Sequence, residues 1–182
     1  MIIGNFFKDI KLKYKKHNFS GLCFDSAKCK RGNIFFAIKG TTIDGNQFID
    51  HAIKKGAKTV ISSQQFEGLK KNILYIRSLN VRKLLSELAY GIYKNKPNNI
   101  IAVTGTNGKS SIADFYFQIL RLNKKKVASI GTLGIKKGNH IKKVSNTTLD
   151  PIELSKALNQ LKKENINDVI LEASSHGLKQ NR

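Results

Sequence analysis

Residues 103–111 read Val-Thr-Gly-Thr-Asn-Gly-Lys-Ser-Ser (VTGTNGKSS), between the apolar run NIIAV at 99–103 and the helix-patterned stretch IADFYFQIL at 112–120. A strand that ends in a glycine-rich turn and opens a helix points several backbone N–H groups at one spot. The helix dipole adds partial positive charge there, so a phosphate fits. Gly105 and Gly108 allow backbone angles that side chains forbid. Lys109 can reach the β- and γ-phosphates, and the Ser110 hydroxyl can ligate Mg²⁺. The bland alternative is a glycine turn whose lysine is only solvated, but the flanking strand and helix supply the context that a phosphate loop demands. The frame is shorter than G-x-x-x-x-G-K-[ST], because the position five before Gly108 is Val103.

Working outward, residues 97–182 alternate strand and helix. After IIAVT and SSIADFYFQILRLN come a strand in KVASIGTLG, a helix in DPIELSKALNQLKKEN and an apolar strand in DVILEASSHG. Asp150 is placed to N-cap the second helix, with Pro151 at its first position and Glu153 three residues after the cap. Strand–helix–strand–helix–strand implies a parallel sheet, whose ligands gather at the carboxyl ends of the strands. Glu172 ends the last strand, where a carboxylate beside a phosphate loop can hold Mg²⁺ directly or through water, or simply face solvent. His176, four residues on, either contacts ligand or fixes the turn.

The first half reads similarly. GLCFDS, NIFFAI, KTVISS and NILYI pattern as strands, NQFIDHAIKKGA as a helix stopped by Gly56, and NVRKLLSELAYGIYKN as a helix with its stripe on Val81, Leu84, Leu85, Leu88, Ala89 and Ile92. KPNN breaks the pattern and places a domain boundary between residues 96 and 97. The expected fold class is α/β: a small N-terminal α/β domain, 1–96, followed by a P-loop-type parallel-sheet ATP-binding domain, 97–182. Three strands and two helices make a thin core, so this second domain is expected to be truncated.

The 182 residues include 33 Lys and Arg against 12 Asp and Glu, a net charge of +21. Only five of the basic residues are arginines, and the lysines are scattered through nearly every segment. Solvated surface is therefore read ahead of a nucleic-acid footprint, although the charge favours anionic ligands by steering. No apolar run reaches the length of a membrane span, and the N-terminus lacks the layout of a secretory signal, so a cytoplasmic protein is expected. Cys23 and Cys29 read as two isolated thiols that signal neither a disulfide framework nor a zinc site.

The frame T-G-T-N-G-K-S resembles the phosphate loop of two groups of ATP-dependent amide-forming enzymes, the Mur ligases and the folylpolyglutamate synthases. Residues 25–61, DSAKCKRGNIFFAIKGTTIDGNQFIDHAIKKGAKTVI, resemble the N-terminal domain of the Mur ligases that add the third peptide residue of the peptidoglycan precursor. SNTTLDPIEL at 145–154 and LEASSHGLKQNR at 171–182 resemble the central-domain signatures of the same branch. The likeness covers nearly the whole chain, in order. It implies a monomeric cytoplasmic ligase that uses ATP and Mg²⁺ to join UDP-MurNAc-L-Ala-D-Glu to a diamino acid, meso-diaminopimelate or L-lysine, through an acyl phosphate. Neither nucleic acid nor membrane is an expected partner. Another amide ligase of the Mur and folylpolyglutamate synthase superfamily is the alternative.

Carried over by position, the resemblance implies that Gly105, Thr106, Asn107, Gly108, Lys109, Ser110 and Ser111 hold ATP, with Ser110 and Glu172 at the metal and Lys109 and Glu172 catalytic. It implies that Phe24, Ser26, Thr41, Thr42 and Ile43 touch the uridine nucleotide, and that Asn146, Thr147, Thr148, Ser174, Gln180 and Arg182 contact the rest of that substrate. Read without it, Ser26 is turn chemistry and 146–148 is the loop entering the Asp150 cap. Ala27, Arg31, Leu149 and Ser111 depart from the family pattern, and Ala27 removes one arginine contact to an anion. The carbamylated lysine and the amino-acid-selecting C-terminal domain of the family have no counterpart in these 182 residues, so this chain alone is expected to bind poorly and to catalyse little.

Overall fold

A computed structural model describes residues 1–7, 10–144 and 148–181. The chain forms two compact units, Met1–Gly91 and Ile92–Arg182.

The first unit is a five-stranded sheet. In chain order its strands are β1 (Leu22–Cys23), β2 (Ile34–Phe36), β3 (Thr59–Ser62), β4 (Gly68–Lys70) and β5 (Ile73–Arg77), arranged β1-β2-β3-β5-β4. All neighbours are parallel except β4, which pairs antiparallel with β5 at the edge. The sequence pattern did not reveal β4, because GLK is three residues long and only Gly68 of it is buried. Helix α1 (Ile49–Lys54) is entered through a 3₁₀ turn, Gly45–Phe48, whose start is capped by Asp44 accepting from the Asn46 amide at 2.9 Å. That cap explains why the α-helical portion starts later than the apolar spacing suggests. Helix α2 (Val81–Ile92) buries Val81, Leu85, Leu88 and Ala89 of the expected stripe. One core cluster joins Cys23, Cys29, Phe35, Ala37, Ile49, Ala52, Ala57, Val60 and Ile73. Cys23 and Cys29 are bonded to each other, with Cα atoms 5.6 Å apart, so they are not the isolated thiols of the sequence reading. The chain doubles back between them through a 3₁₀ turn at Ser26–Lys28, a local geometry that six residues of spacing do not reveal.

The second unit is also a five-stranded sheet, ordered β6-β10-β7-β8-β9. Its elements are β6 (Asn99–Val103), α3 (Lys109–Leu122), β7 (Val127–Gly131), β8 (Gly134–Lys137), β9 (His140–Lys142), α4 (Pro151–Lys163), β10 (Asp168–Glu172) and α5 (Ser175–Lys179). The later strand β10 inserts between β6 and β7, parallel to both. The antiparallel meander β8–β9 has no counterpart in the sequence pattern. Its lysine-rich strands lack an apolar alternation, and Gly138, at φ +54°, makes the reversal between them.

The sheet is covered unequally. On one side α4 completes a cluster with Ala128, Ile130, Leu149, Leu158, Leu161, Ile166 and Val169. On the other, α3 buries Ala113 and Phe117. The opposite face of α3 carries Ile112, Phe115, Ile119 and Leu122 at three- and four-residue spacing, all exposed, and Ile100 and Ile101 of the edge strand β6 are exposed as well.

The entry to α4 follows the sequence expectation. Asp150 Oδ1 accepts from the amides of Ile152 and Glu153, both at 2.9 Å, and Pro151 occupies the first turn. Asp150→Ala is expected to destabilise the second unit by about 1 kcal/mol, lowering its thermal midpoint by roughly 4–8 °C in differential scanning calorimetry.

Two ion pairs tie the meander to the helices: Lys136 to Asp114 and Lys137 to Glu164, each at 2.6 Å. The lysine hydrogen bonds, reinforced by Gln118 on Asp114 and Gln160 on Glu164, hold both carboxyls below their usual range. Because folding lowers these pKa values, the stabilisation is complete above the unfolded carboxylate range. It is lost as pH falls through the lowered folded values. The variant combining Asp114→Asn and Glu164→Gln is therefore expected to show a shallower loss of stability on acidification, measured by urea unfolding at a series of pH values.

Candidate nucleotide and substrate sites

The carboxyl ends of β6, β10 and β7 converge in the second unit. After Val103 the chain turns through Gly105, at φ +149°, and Gly108, at φ +78°, and α3 begins at Lys109. A side chain at Gly108 would meet nothing within 4 Å, so glycine is required there by backbone angle and not by space. Gly108 is also the N-cap, and it offers no side chain to the first amides of α3. Those donors stay available for an anion. The Lys109 ammonium lies over the loop, donating to the carbonyls of Gly105 at 2.6 Å and Thr106 at 3.2 Å. Thr106, Asn107 and Ser111 are exposed around it.

Glu172 is buried at 5 % exposure although it ends a strand. Its carboxylate accepts from Ser110 Oγ at 2.8 Å, from the Thr132 amide at 3.1 Å and from Thr132 Oγ1 at 3.0 Å. The two residues expected at a metal, Ser110 and Glu172, are thus in direct contact across 62 positions of sequence. Among the described residues no group of three His, Cys, Asp or Glu could hold a metal ion by itself. One hydroxyl and one carboxylate nevertheless suit Mg²⁺, which takes one or two protein oxygens and completes its shell with water and phosphate.

Beyond Glu172 the hydroxyls are engaged with one another. Ser174 caps α5 by accepting from the Gly177 amide at 3.0 Å, its own amide donates to Thr148 Oγ1 at 3.1 Å, and the two hydroxyls lie 3.0 Å apart. Thr148 and Ser174, named from separate motifs, therefore form one cluster. His176 pairs with Gln180 at 2.6 Å on the exposed side of α5. That contact lies within α5 and is compatible with both readings of His176. Asn146, Thr147 and Arg182 lie outside the described residues.

In the first unit, Phe24 and Ser26 follow β1 and Thr41, Thr42 and Ile43 follow β2, so both groups leave the carboxyl edge of adjacent parallel strands. Phe24 is 39 % exposed and Ile43 57 %. Gly40 donates to the Ile43 carbonyl at 2.8 Å and closes the second loop. Ser26 is buried, and its hydroxyl lies 2.9 Å from His51 Nδ1 of α1. His51, Gly131 and Thr132 are the residues that sequence reasoning missed. For the last two a signal existed, because Gly131 ends and Thr132 follows a strand whose carboxyl end the alternation already located.

This is the layout of an α/β nucleotide-binding unit with its phosphate loop at the strand ends. Residues 103–182 match the Mur ligase middle domain, and residues 18–93 match a second model described as Mur ligase family, catalytic domain. The chain belongs to the Mur ligase family. It is 40 % identical over 173 residues to the UDP-N-acetylmuramoyl-L-alanyl-D-glutamate--2,6-diaminopimelate ligase of Rickettsia prowazekii, covering 93 % of this chain and 36 % of that protein. The ligase of the same name from Buchnera aphidicola is 40 % identical over 172 residues, covering 90 % and 35 %. A solved structure of a protein of that name superimposes with a TM-score of 0.82 at 28 % identity, over all of this chain and 37 % of the other. A MurF ligase from Thermotoga maritima in complex with ADP shares the fold, with a TM-score of 0.56 at 21 % identity over 85 % of this chain. The chain spans little more than a third of the length of its relatives.

Proposed function

We propose that this chain supplies the uridine-nucleotide domain and the ATP site of an ATP-dependent ligase that joins UDP-MurNAc-L-Ala-D-Glu to a diamino acid in peptidoglycan synthesis. The names of the relatives favour diaminopimelate over lysine. The observation that carries the reading is the Ser110–Glu172 contact at 2.8 Å beside the Lys109 ammonium, at the open N-terminus of α3. The amides that open α3 and the Lys109 ammonium grip the β- and γ-phosphates of ATP. Ser110 and Glu172 hold Mg²⁺, which offsets the charge of the phosphates. Phosphoryl transfer to the D-glutamate carboxylate needs positioning and charge neutralisation more than a protein nucleophile, and the loop provides both. The amine of the diamino acid then displaces phosphate from the acyl phosphate.

Phe24, Ser26, Thr41, Thr42 and Ile43 take the uridine end of the substrate, and Thr148, Ser174 and Gln180, with Asn146, Thr147 and Arg182, its muramoyl peptide. The working enzyme is a cytoplasmic monomer. No described helix is long and apolar enough to cross a membrane. A chimera tests the function: this chain replaces the matching segment of the Rickettsia prowazekii ligase. Release of ADP and phosphate that requires both UDP-MurNAc-L-Ala-D-Glu and diaminopimelate supports the proposal. A folded chimera that hydrolyses ATP without consuming the dipeptide substrate refutes it.

A further inference from the structure

We infer that Thr132 is the positioning residue for the Glu172 carboxylate, and that Gly131 provides the space this carboxylate occupies. The inference rests on reading Glu172 and Ser110 as the metal site, and it extends that site to the loop after β7. The register pairs Leu171 with Ile130, so Glu172 and Gly131 stand side by side. Alternation puts Ala128 and Ile130 toward α4, and hence Gly131 toward α3, the side from which Ser110 reaches Glu172. A Cβ at Gly131 would overlap the Glu172 carboxylate itself. Gly131 is not among the glycines with positive φ, so it is small there because the glutamate fills its place.

Thr132 then holds both carboxylate oxygens. Its amide donates to Oε1 at 3.1 Å and its hydroxyl to Oε2 at 3.0 Å, while Ser110 reaches Oε2 at 2.8 Å. A carboxylate presents about four lone-pair directions, so three donors leave about one for a cation or its water. A glutamate has three rotatable side-chain bonds and loses that freedom when it is fixed in place. Thr132 fixes it before any ligand arrives. It also supplies polar partners without which a carboxylate this buried would be strongly disfavoured. Residues that orient a metal ligand in this way typically contribute about 10–100-fold to metal affinity.

The test uses the 182-residue chain with ADP, and Mn²⁺ as a spectroscopic stand-in for Mg²⁺, read by electron paramagnetic resonance. Thr132→Val keeps the shape and the amide but removes the hydroxyl. It is expected to raise the Mn²⁺ concentration for half-saturation by at least about tenfold while leaving metal-free ADP binding unchanged. Thr132→Ala, which adds no methyl group in place of the hydroxyl, should give the same shift if the valine variant folds poorly. Thr132→Ser should restore native Mn²⁺ binding. Native Mn²⁺ affinity in both hydroxyl-deleting variants overturns the inference and leaves the nucleotide assignment standing. Failure of the unaltered chain to bind ADP overturns both.

Discussion

Lys109→Ala is expected to lower the turnover of the chimeric ligase by a factor on the order of 10²–10³, and to weaken MgATP binding to the 182-residue chain itself. The ammonium now lies over the carbonyls of Gly105 and Thr106. Without it those two oxygens would face the phosphates uncompensated, so a repulsion is added to a lost attraction. Lys109→Arg should not restore function. A guanidinium is a planar fork, and the loop carbonyls are arranged around a compact point charge. Isothermal titration of MgATP into each variant measures the binding part, and coupled ADP release measures turnover. Native affinity and turnover in Lys109→Ala would remove the phosphate-loop assignment and everything built on it.

The second large effect is on stability. Phe117 is fully buried between α3 and the sheet, with the Lys136 ammonium 4.6 Å and the Arg121 guanidinium 5.6 Å from its ring centre. Phe117→Ala should cost about 3–5 kcal/mol from lost transfer energy and the cavity left behind. Against a domain stability of about 5–15 kcal/mol, that is enough to unfold much of the second unit near body temperature. Phe115 is two residues away on the same helix and 63 % exposed. Phe115→Ala should stay within about 0.5 kcal/mol. Hydrogen exchange resolves the pair: amides of β10 lose protection in Phe117→Ala, keep it in Phe115→Ala, and those of β3 keep it in both. Equal effects of the two substitutions would show that the burial pattern of α3 is wrong.

Much of this molecule is local and therefore readable along the chain. Asp150, Pro151 and Glu153 announce α4 because capping involves only neighbours in sequence. Gly108 and Lys109 announce the phosphate loop because its donors are consecutive amides. Long apolar segments such as DVILE and NIIAV could be assigned as strands, but the interior place of β10 and the edge place of β6 could not. Weak elements escaped for a physical reason. β4 and β9 are three-residue edge strands and mostly exposed, and β8, between β7 and β9, is four residues long with only Gly134 buried. The Cys23–Cys29 bond escaped because it depends on a turn whose shape composition does not encode.

The linear order of residues was sufficient to establish two α/β units, a phosphate loop between a strand and a helix, and a carboxylate at a strand end. Each of these follows from side-chain periodicity or from backbone demands within a few positions. Whether Glu172 faces solvent or serves the loop was left open by the chain and decided by folding, because β10 inserts between β6 and β7. That insertion brings Ser110, Gly131, Thr132 and Glu172 together from three segments. Contacts of 40 and 62 positions' separation arise only when a sheet orders its strands, and no periodicity along a chain records that order.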